Sequence, residues 1–175
     1  MSSVLRGVAH CYPGILDGTD ISPLADRWIV RDAERLGLGY ENQLRALARN
    51  CLTRVDADFP RKVAAGDMLV GDHGIGWGHD YDQAVMALRG AGLSAVVCET
   101  TRTNFKRNCI NHGLPLVEVP GILGHVKTGD ELELDLARGT LVNRRLGTVL
   151  GFRPYPSFIL AILNAGGVYA DLTRR

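Results

Sequence analysis

Hydrophobic and polar positions follow two rhythms along this chain, and the rhythm changes after Gly121. Before it, short apolar runs alternate with stretches of helical spacing. Val4 to His10 is mildly apolar and predicts a first strand. Tyr12-Pro13-Gly14 and Asp17-Gly18-Thr19-Asp20 then carry turn chemistry, and Pro23 closes that loop. Leu44, Leu47, Ala48 and Cys51 recur at helical spacing and predict a helix over Glu41 to Cys51. Asp56 to Gly66 reads as a polar connection. Met68-Leu69-Val70-Gly71 predicts a buried strand, with a glycine-rich loop over Gly71 to Gly78 and a helix over Asp80 to Gly90. A second buried strand is expected at Leu93 to Cys98. A second helix is expected over Thr103 to His112, stopped by Gly113, and a third strand over Leu116 to Val119. Strand–helix–strand–helix–strand favours a parallel sheet with right-handed crossovers.

After Gly121 the period becomes two. Glu131, Glu133 and Asp135 alternate with Leu132, Leu134 and Leu136, as in a strand with one face buried. Arg138-Gly139 turns this run into Thr140-Leu141-Val142-Asn143, which predicts a hairpin. A last helix is expected over Ser157 to Asn164, with Pro154 and Pro156 before it and Gly166-Gly167 after it. The fold class read from this pattern is α/β: a parallel β/α unit with an added antiparallel sheet and a C-terminal helix.

Composition narrows the function classes. The chain has 175 residues, which suits a single domain over 1–175, and a formal charge of +1. Near-balanced charge makes nucleic acid a poor partner. No apolar run is long enough to span a membrane, and Met1 to Ala9 does not read as a signal peptide, so a cytoplasmic protein is expected. Cys11, Cys51, Cys98 and Cys109 form no close pair and no zinc spacing. They predict free thiols, and no iron–sulfur cluster or other metal on this chain alone.

Three segments can carry chemistry. The first is Gly74-Ile75-Gly76-Trp77-Gly78-His79-Asp80-Tyr81-Asp82, between a predicted strand and a helix N-terminus. Glycines let backbone approach a ligand, and unpaired amides at a helix start attract anions. The structural alternative is a tight turn with Asp80 as helix N-cap. This loop is neither a dinucleotide fingerprint, because GxGxxG fails at His79, nor a P-loop, because Gly-Lys-Ser/Thr is absent. The second segment, Asp17-Gly18-Thr19-Asp20-Ile21-Ser22-Pro23, places carboxylates and hydroxyls on a loop, or is simply an Asx-turn. The third, Thr100-Thr101-Arg102 with Asn104-Phe105-Lys106-Arg107-Asn108-Cys109, is otherwise a basic amphipathic helix face.

Taken in order, these segments resemble the 3-isopropylmalate dehydratase small-subunit family and the swivelling fourth domain of aconitases. Thr19-Asp20-Ile21-Ser22-Pro23 is close to the family's Thr-Asp-x-Ile-x-Pro, one residue shorter. Asn104-Phe105-Lys106-Arg107-Asn108-Cys109, then Gly113-Leu114-Pro115, resembles its Ile-Phe-x-x-Asn-Cys and Gly-Leu stretch. Gly129-Asp130-Glu131-Leu132-Glu133-Leu134-Asp135-Leu136 matches its Gly-Asp-Glu-Leu-x-Val-Asp-Leu strand. Pro154-Tyr155-Pro156-Ser157-Phe158 and Ala165-Gly166-Gly167 match its ending. The resemblance implies a three-layer β/β/α swivelling domain. It also implies a separate large subunit that carries a [4Fe–4S] cluster on its own cysteines. The implied reaction is reversible loss and addition of water on a hydroxy-carboxylic acid.

One loop departs from the family pattern, Gly-x-Gly-Ser-Ser-Arg-Glu-His-Ala. Ending both at the alanine sets Gly76-Trp77-Gly78-His79-Asp80-Tyr81-Asp82-Gln83-Ala84 against it. The family's catalytic serine falls on Asp80 and its carboxylate-binding arginine on Tyr81. The expected site is therefore Asp80 as base, with Gly76, Trp77, Gly78, His79, Tyr81, Arg31, Thr19 and Asp20 as substrate contacts. Backbone amides of Gly76 and Gly78 are expected to take part. Arg27, Arg31 or Arg102 can offset the missing arginine. The rival readings are a non-catalytic binding or regulatory subunit, and a metal site formed by His79, Asp80 and Asp82.

Overall fold

The computed structural model describes residues 3–78, 82–168 and 170. Seven strands form one sheet in the order β4-β3-β2-β1-β5-β6-β7. They are β1 (Val4–Tyr12), β2 (Met68–Ile75), β3 (Ala95–Thr101), β4 (Leu116–Glu118), β5 (Glu131–Asp135), β6 (Thr140–Asn143) and β7 (Thr148–Gly151). The helices are α1 (Gly18–Ile21), α2 (Trp28–Arg31), α3 (Tyr40–Ala48), α4 (Phe59–Lys62), α5 (Asp82–Gly90), α6 (Thr103–Asn111) and α7 (Ser157–Ala165). Among the described residues, no helix is long and apolar enough to cross a membrane.

Strand β1 belongs to both halves of the sheet. Its first part, Val4 to Val8, pairs antiparallel with β5. Its second part, Ala9 to Tyr12, pairs parallel with β2. β2, β3 and β4 continue in parallel, while β5, β6 and β7 form an antiparallel meander. The burial pattern shows how the halves stack. Leu69, Val96, Cys98 and Leu116 pack against helices α3, α5 and α6. Their alternate neighbours Met68, Val70, Ala95, Val97 and Val117 pack against Leu132, Leu134 and Leu141. The parallel strands are therefore apolar on both faces, which explains their unbroken hydrophobic runs. β5 is apolar on one face only, which explains its strict alternation. The result is the expected three-layer β/β/α arrangement: an antiparallel layer, a parallel layer and a helical layer.

Several boundaries differ from the sequence reading. β2 continues through Ile75, so the segment expected as a loop from Gly71 starts only at Gly76. Pairing explains this: His73 opposes Thr100 and Ile75 opposes Thr101, across an irregularity that takes up Gly74. Asp17–Asp20, expected as a turn, is the capped start of α1, and the polar connection over Asp56 to Gly66 contains α4. α3 ends at Ala48, short of Cys51. β7 has no sequence forecast: Val149 is 63 % exposed, so its apolar residue carries no burial signal.

The family-like motifs of the C-terminal half are structural. The Tyr155 hydroxyl donates to the carbonyl of Leu116 at 2.5 Å and accepts from its amide at 3.2 Å, so it closes the free edge of β4. Gly113 and Gly167 let two turns touch. A Cβ on Gly113 would lie 2.4 Å from the Gly166 backbone, and one on Gly167 would lie 2.2 Å from the Asn111 carbonyl.

Candidate functional site

The loops after β1 and β2 meet at the carboxyl end of the parallel strands. This is where open α/β sheets hold ligands. The Gly76 amide donates to the carbonyl of Leu16 at 2.8 Å, and the Gly18 amide donates to that of Trp77 at 2.8 Å. A short parallel bridge joins Asp17 to Trp77. Thr19, Asp20, Gly76, Trp77 and Gly78, far apart in sequence, are thus one rim.

Asp17 builds the first half of this rim. It is the N-cap of α1 and forms a capping box with Asp20. Its Oδ1 accepts from the Thr19 amide and hydroxyl, both at 2.6 Å, and from the Asp20 amide at 3.1 Å. Burial alone would raise the Asp17 carboxyl. The Thr19 hydroxyl, the two amides and nearby Arg54 outweigh it and hold the group below the ordinary carboxylate range. Arg54 lies 3.7 Å from Asp20 and 3.4 Å from the Thr19 hydroxyl. The sequence reading placed Asp17 in its second candidate segment but not among the substrate contacts, and it missed Arg54. An Asp followed three residues later by another Asp is a capping-box spacing that could have revealed the first; nothing local marks the second.

The second half is shaped by glycines. Gly76 has φ +72°, and a Cβ there would lie 2.0 Å from Cγ of Phe105. Only glycine lets the loop cross that ring. Gly76 therefore does not offer the free amide expected from the sequence; its N–H is committed to Leu16 and its α-carbon to Phe105. Gly78 lies against Asp17, where a Cβ would meet Oδ2 at 3.1 Å. Trp77 stands between them, and the Arg102 guanidinium lies over its ring, 4.6 Å from the centroid. Arg31, expected to help, is instead bound to Asp32 at 3.0 and 2.7 Å. Of Arg27, Arg31 and Arg102, it is Arg102 that meets the glycine-rich loop among the described residues.

His79, Asp80 and Tyr81 lie outside the described residues. Asp82, which follows them, opens α5. Its Oδ1 is 3.6 Å from Nε2 of buried His112, and the nearby imidazole holds the Asp82 carboxyl below its ordinary range. Nδ1 of His112 shares a 2.8 Å hydrogen bond with the Tyr40 hydroxyl, and the two rings stack. Asp82 thereby faces a histidine. These groups line a cavity of about 490 Å³ along α5.

Cys51, Cys98 and Cys109 are buried, and burial pushes the Cys98 thiol up to about 12 and the other two upward as well. Cys11 is raised to about 11, again chiefly by burial. Among the described residues no three His, Cys, Asp or Glu side chains converge.

No family model matches the chain. Curated relatives do. The isopropylmalate/citramalate isomerase small subunit of Methanocaldococcus jannaschii is 43 % identical over 129 residues, covering 74 % of this chain and 77 % of that protein. The 3-isopropylmalate dehydratase small subunit of Pyrobaculum calidifontis is 40 % identical over 172 residues, covering 98 % and 99 %. The crystal structure of a 3-isopropylmalate dehydratase from Methanocaldococcus jannaschii superposes with a TM-score of 0.83 at 28 % identity, covering 98 % and 95 %. Aconitase X of Thermococcus kodakaraensis shares the fold, with a TM-score of 0.51 at 13 % identity over 87 % of this chain and 92 % of that one. Similarity that runs end to end, in sequence and in layer order, makes this chain a member of the 3-isopropylmalate dehydratase small-subunit family.

Proposed function

We propose that this chain, as one swivelling domain, is the small subunit of an aconitase-superfamily hydro-lyase. With a large subunit it would hydrate, dehydrate or isomerise a small hydroxy-carboxylic acid in the cytoplasm. The observation that carries the reading is the end-to-end match to proteins named as dehydratase small subunits. The rim at the carboxyl end of β1 and β2 supports it, because it gathers the Asp17–Asp20 and Gly76–Gly78 segments on one edge.

In this reading Asp80 is the base. A carboxylate shielded from water gains basicity and can take the proton next to a substrate carboxyl group. His79, Tyr81, Trp77 and the Gly78 amide contact the substrate, Thr19 and Asp20 shape the wall beside them, and Gly76 seats the loop on Phe105. Arg31 stands at the outer edge of the set, since a role in binding requires it to leave Asp32. The cluster is assigned to the large subunit, a reading supported by the dispersed and mostly buried thiols among the described residues. When bound there, it supplies a Lewis acid for the departing hydroxyl.

Anaerobic co-expression with the large subunit, followed by a hydroxy-acid dehydration assay, tests this. Asp80→Asn should lower kcat at least about 100-fold while the complex still assembles on size exclusion. Near-normal turnover in that variant removes Asp80 from the mechanism. A second reading, a non-catalytic binding or regulatory subunit, is favoured by one observation: Asp80 and Tyr81 stand where the family carries serine and arginine. A wild-type complex that assembles but turns over no hydroxy acid would select it.

A further inference from the structure

We propose that Arg102, propped on the face of Trp77, is the side chain that grips a substrate carboxylate and so sets specificity. The inference rests on the hydroxy-acid reading above, since such a substrate needs a cation. The geometry comes from the sheet. Ile75 opposes Thr101 at the last pairing of β2 with β3. The residues that follow, Gly76-Trp77 and Arg102, therefore leave the sheet side by side. Arg102 leaves with extended backbone, φ −77° and ψ 140°, before α6 begins. The Thr101 hydroxyl donates to the carbonyl of Ile75 at 2.7 Å and ties the two exits together.

Several other cations on neighbouring segments have polar partners. Arg54 is drawn to Asp20 and Thr19. Lys106 holds Glu118 at 2.6 Å, and Arg107 donates to Asn104 at 2.6 Å. Arg102 makes no ion pair with a described carboxylate. Its contact is instead to the indole of Trp77, which is 39 % exposed and packs beside Gly74, where a Cβ would come within 3.5 Å of its Cδ1. A guanidinium lying on a ring satisfies its face and keeps its edge N–H groups directed outward in the fork that matches a carboxylate. Trp77 thus orients a cation without neutralising it. A carboxylate partner in its place would have cancelled the charge.

The test uses the assembled complex with isopropylmalate and its two monomethyl esters. Arg102→Gln should raise KM for isopropylmalate about 10- to 100-fold, the loss of one charged hydrogen-bonded pair, with kcat little changed. Arg102→Lys should fall between, because it keeps charge and loses the fork. The penalty should vanish for one of the two esters, the one whose free carboxylate no longer faces Arg102. Unchanged KM in Arg102→Gln, or a penalty that persists for both esters, overturns the proposal. If the wild-type complex turns over no hydroxy acid, the reading of function has failed, and binding is then read directly. In a Trp28→Phe background Trp77 is the sole tryptophan of the chain. A saturable change in its fluorescence on adding isopropylmalate, lost in Arg102→Gln, supports the Arg102 site. No saturable change in the parent overturns it.

Discussion

Two regions of this molecule are organised by aspartates and arginines, and they use them in opposite ways. In the antiparallel layer, buried Asp130 is saturated from within. It takes an ion pair from Arg145, a 2.7 Å bond from the Asn143 amide group and a 3.0 Å bond from the Lys127 amide. The Arg145 guanidinium foremost, together with these donors, holds its carboxyl far below the ordinary range. At the rim, Asp17 is saturated by its own helix start, while Arg102 rests on an aromatic face with no described carboxylate against it. A charge answered inside the fold is structural. A charge held in place but left unanswered is available to a ligand.

The comparison can be broken or sharpened in order of expected effect. The largest concerns the core under the antiparallel layer. Leu134→Ala removes a fully buried side chain between the two β layers and should cost about 3 kcal/mol, read by urea unfolding. Turnover per folded complex should hardly change; a stability loss below about 1 kcal/mol would mean that the layers are not closely packed.

Next comes Asp130→Ala, expected to cost about 2 kcal/mol because it strands the Asn143 and Lys127 donors and the Arg145 charge. The folded carboxyl of Asp130 lies below its unfolded value. Its stabilisation is therefore full above about pH 4 and is lost as pH falls through the folded pKa. The gap between wild type and variant should be widest at neutral pH and narrow on acidification. A gap that widens toward acid would contradict the assignment.

The smallest global effect belongs to Asp17→Ala. Removing this cap should cost about 1 kcal/mol. Amide exchange at Gly18 to Asp20 should quicken, and kcat/KM should drop more than the small stability change suggests. If exchange there stays slow, Asp17 is not what orders the rim.

The hydrophobic pattern was enough to place most of the strands and the longer helices, and its change of period after Gly121 anticipated two sheets of different character. It misjudged the stretch from Gly71 to Ile75, because glycines look like loop whether or not a neighbouring strand pairs with them. It could not see β7, whose residues are half exposed, or α2 and α4, which are single turns held by their surroundings. At the site, Thr19, Asp20, Trp77 and Gly78 were legible from motif order. Gly76 was expected to turn its amide to substrate, and the Leu16 carbonyl takes that amide instead.

What the chain determined by itself is which residues must be buried and in what order the elements come, because periodicity records burial locally. Only the tertiary structure decided which polar groups are answered. Leu16 meets the Gly76 amide, Arg54 meets Asp20, His112 meets Asp82, and Arg102 settles on Trp77. Hydrogen bonds and charge pairs join segments distant in sequence over a few ångströms, and that distance exists only once the sheet has brought the strand ends together.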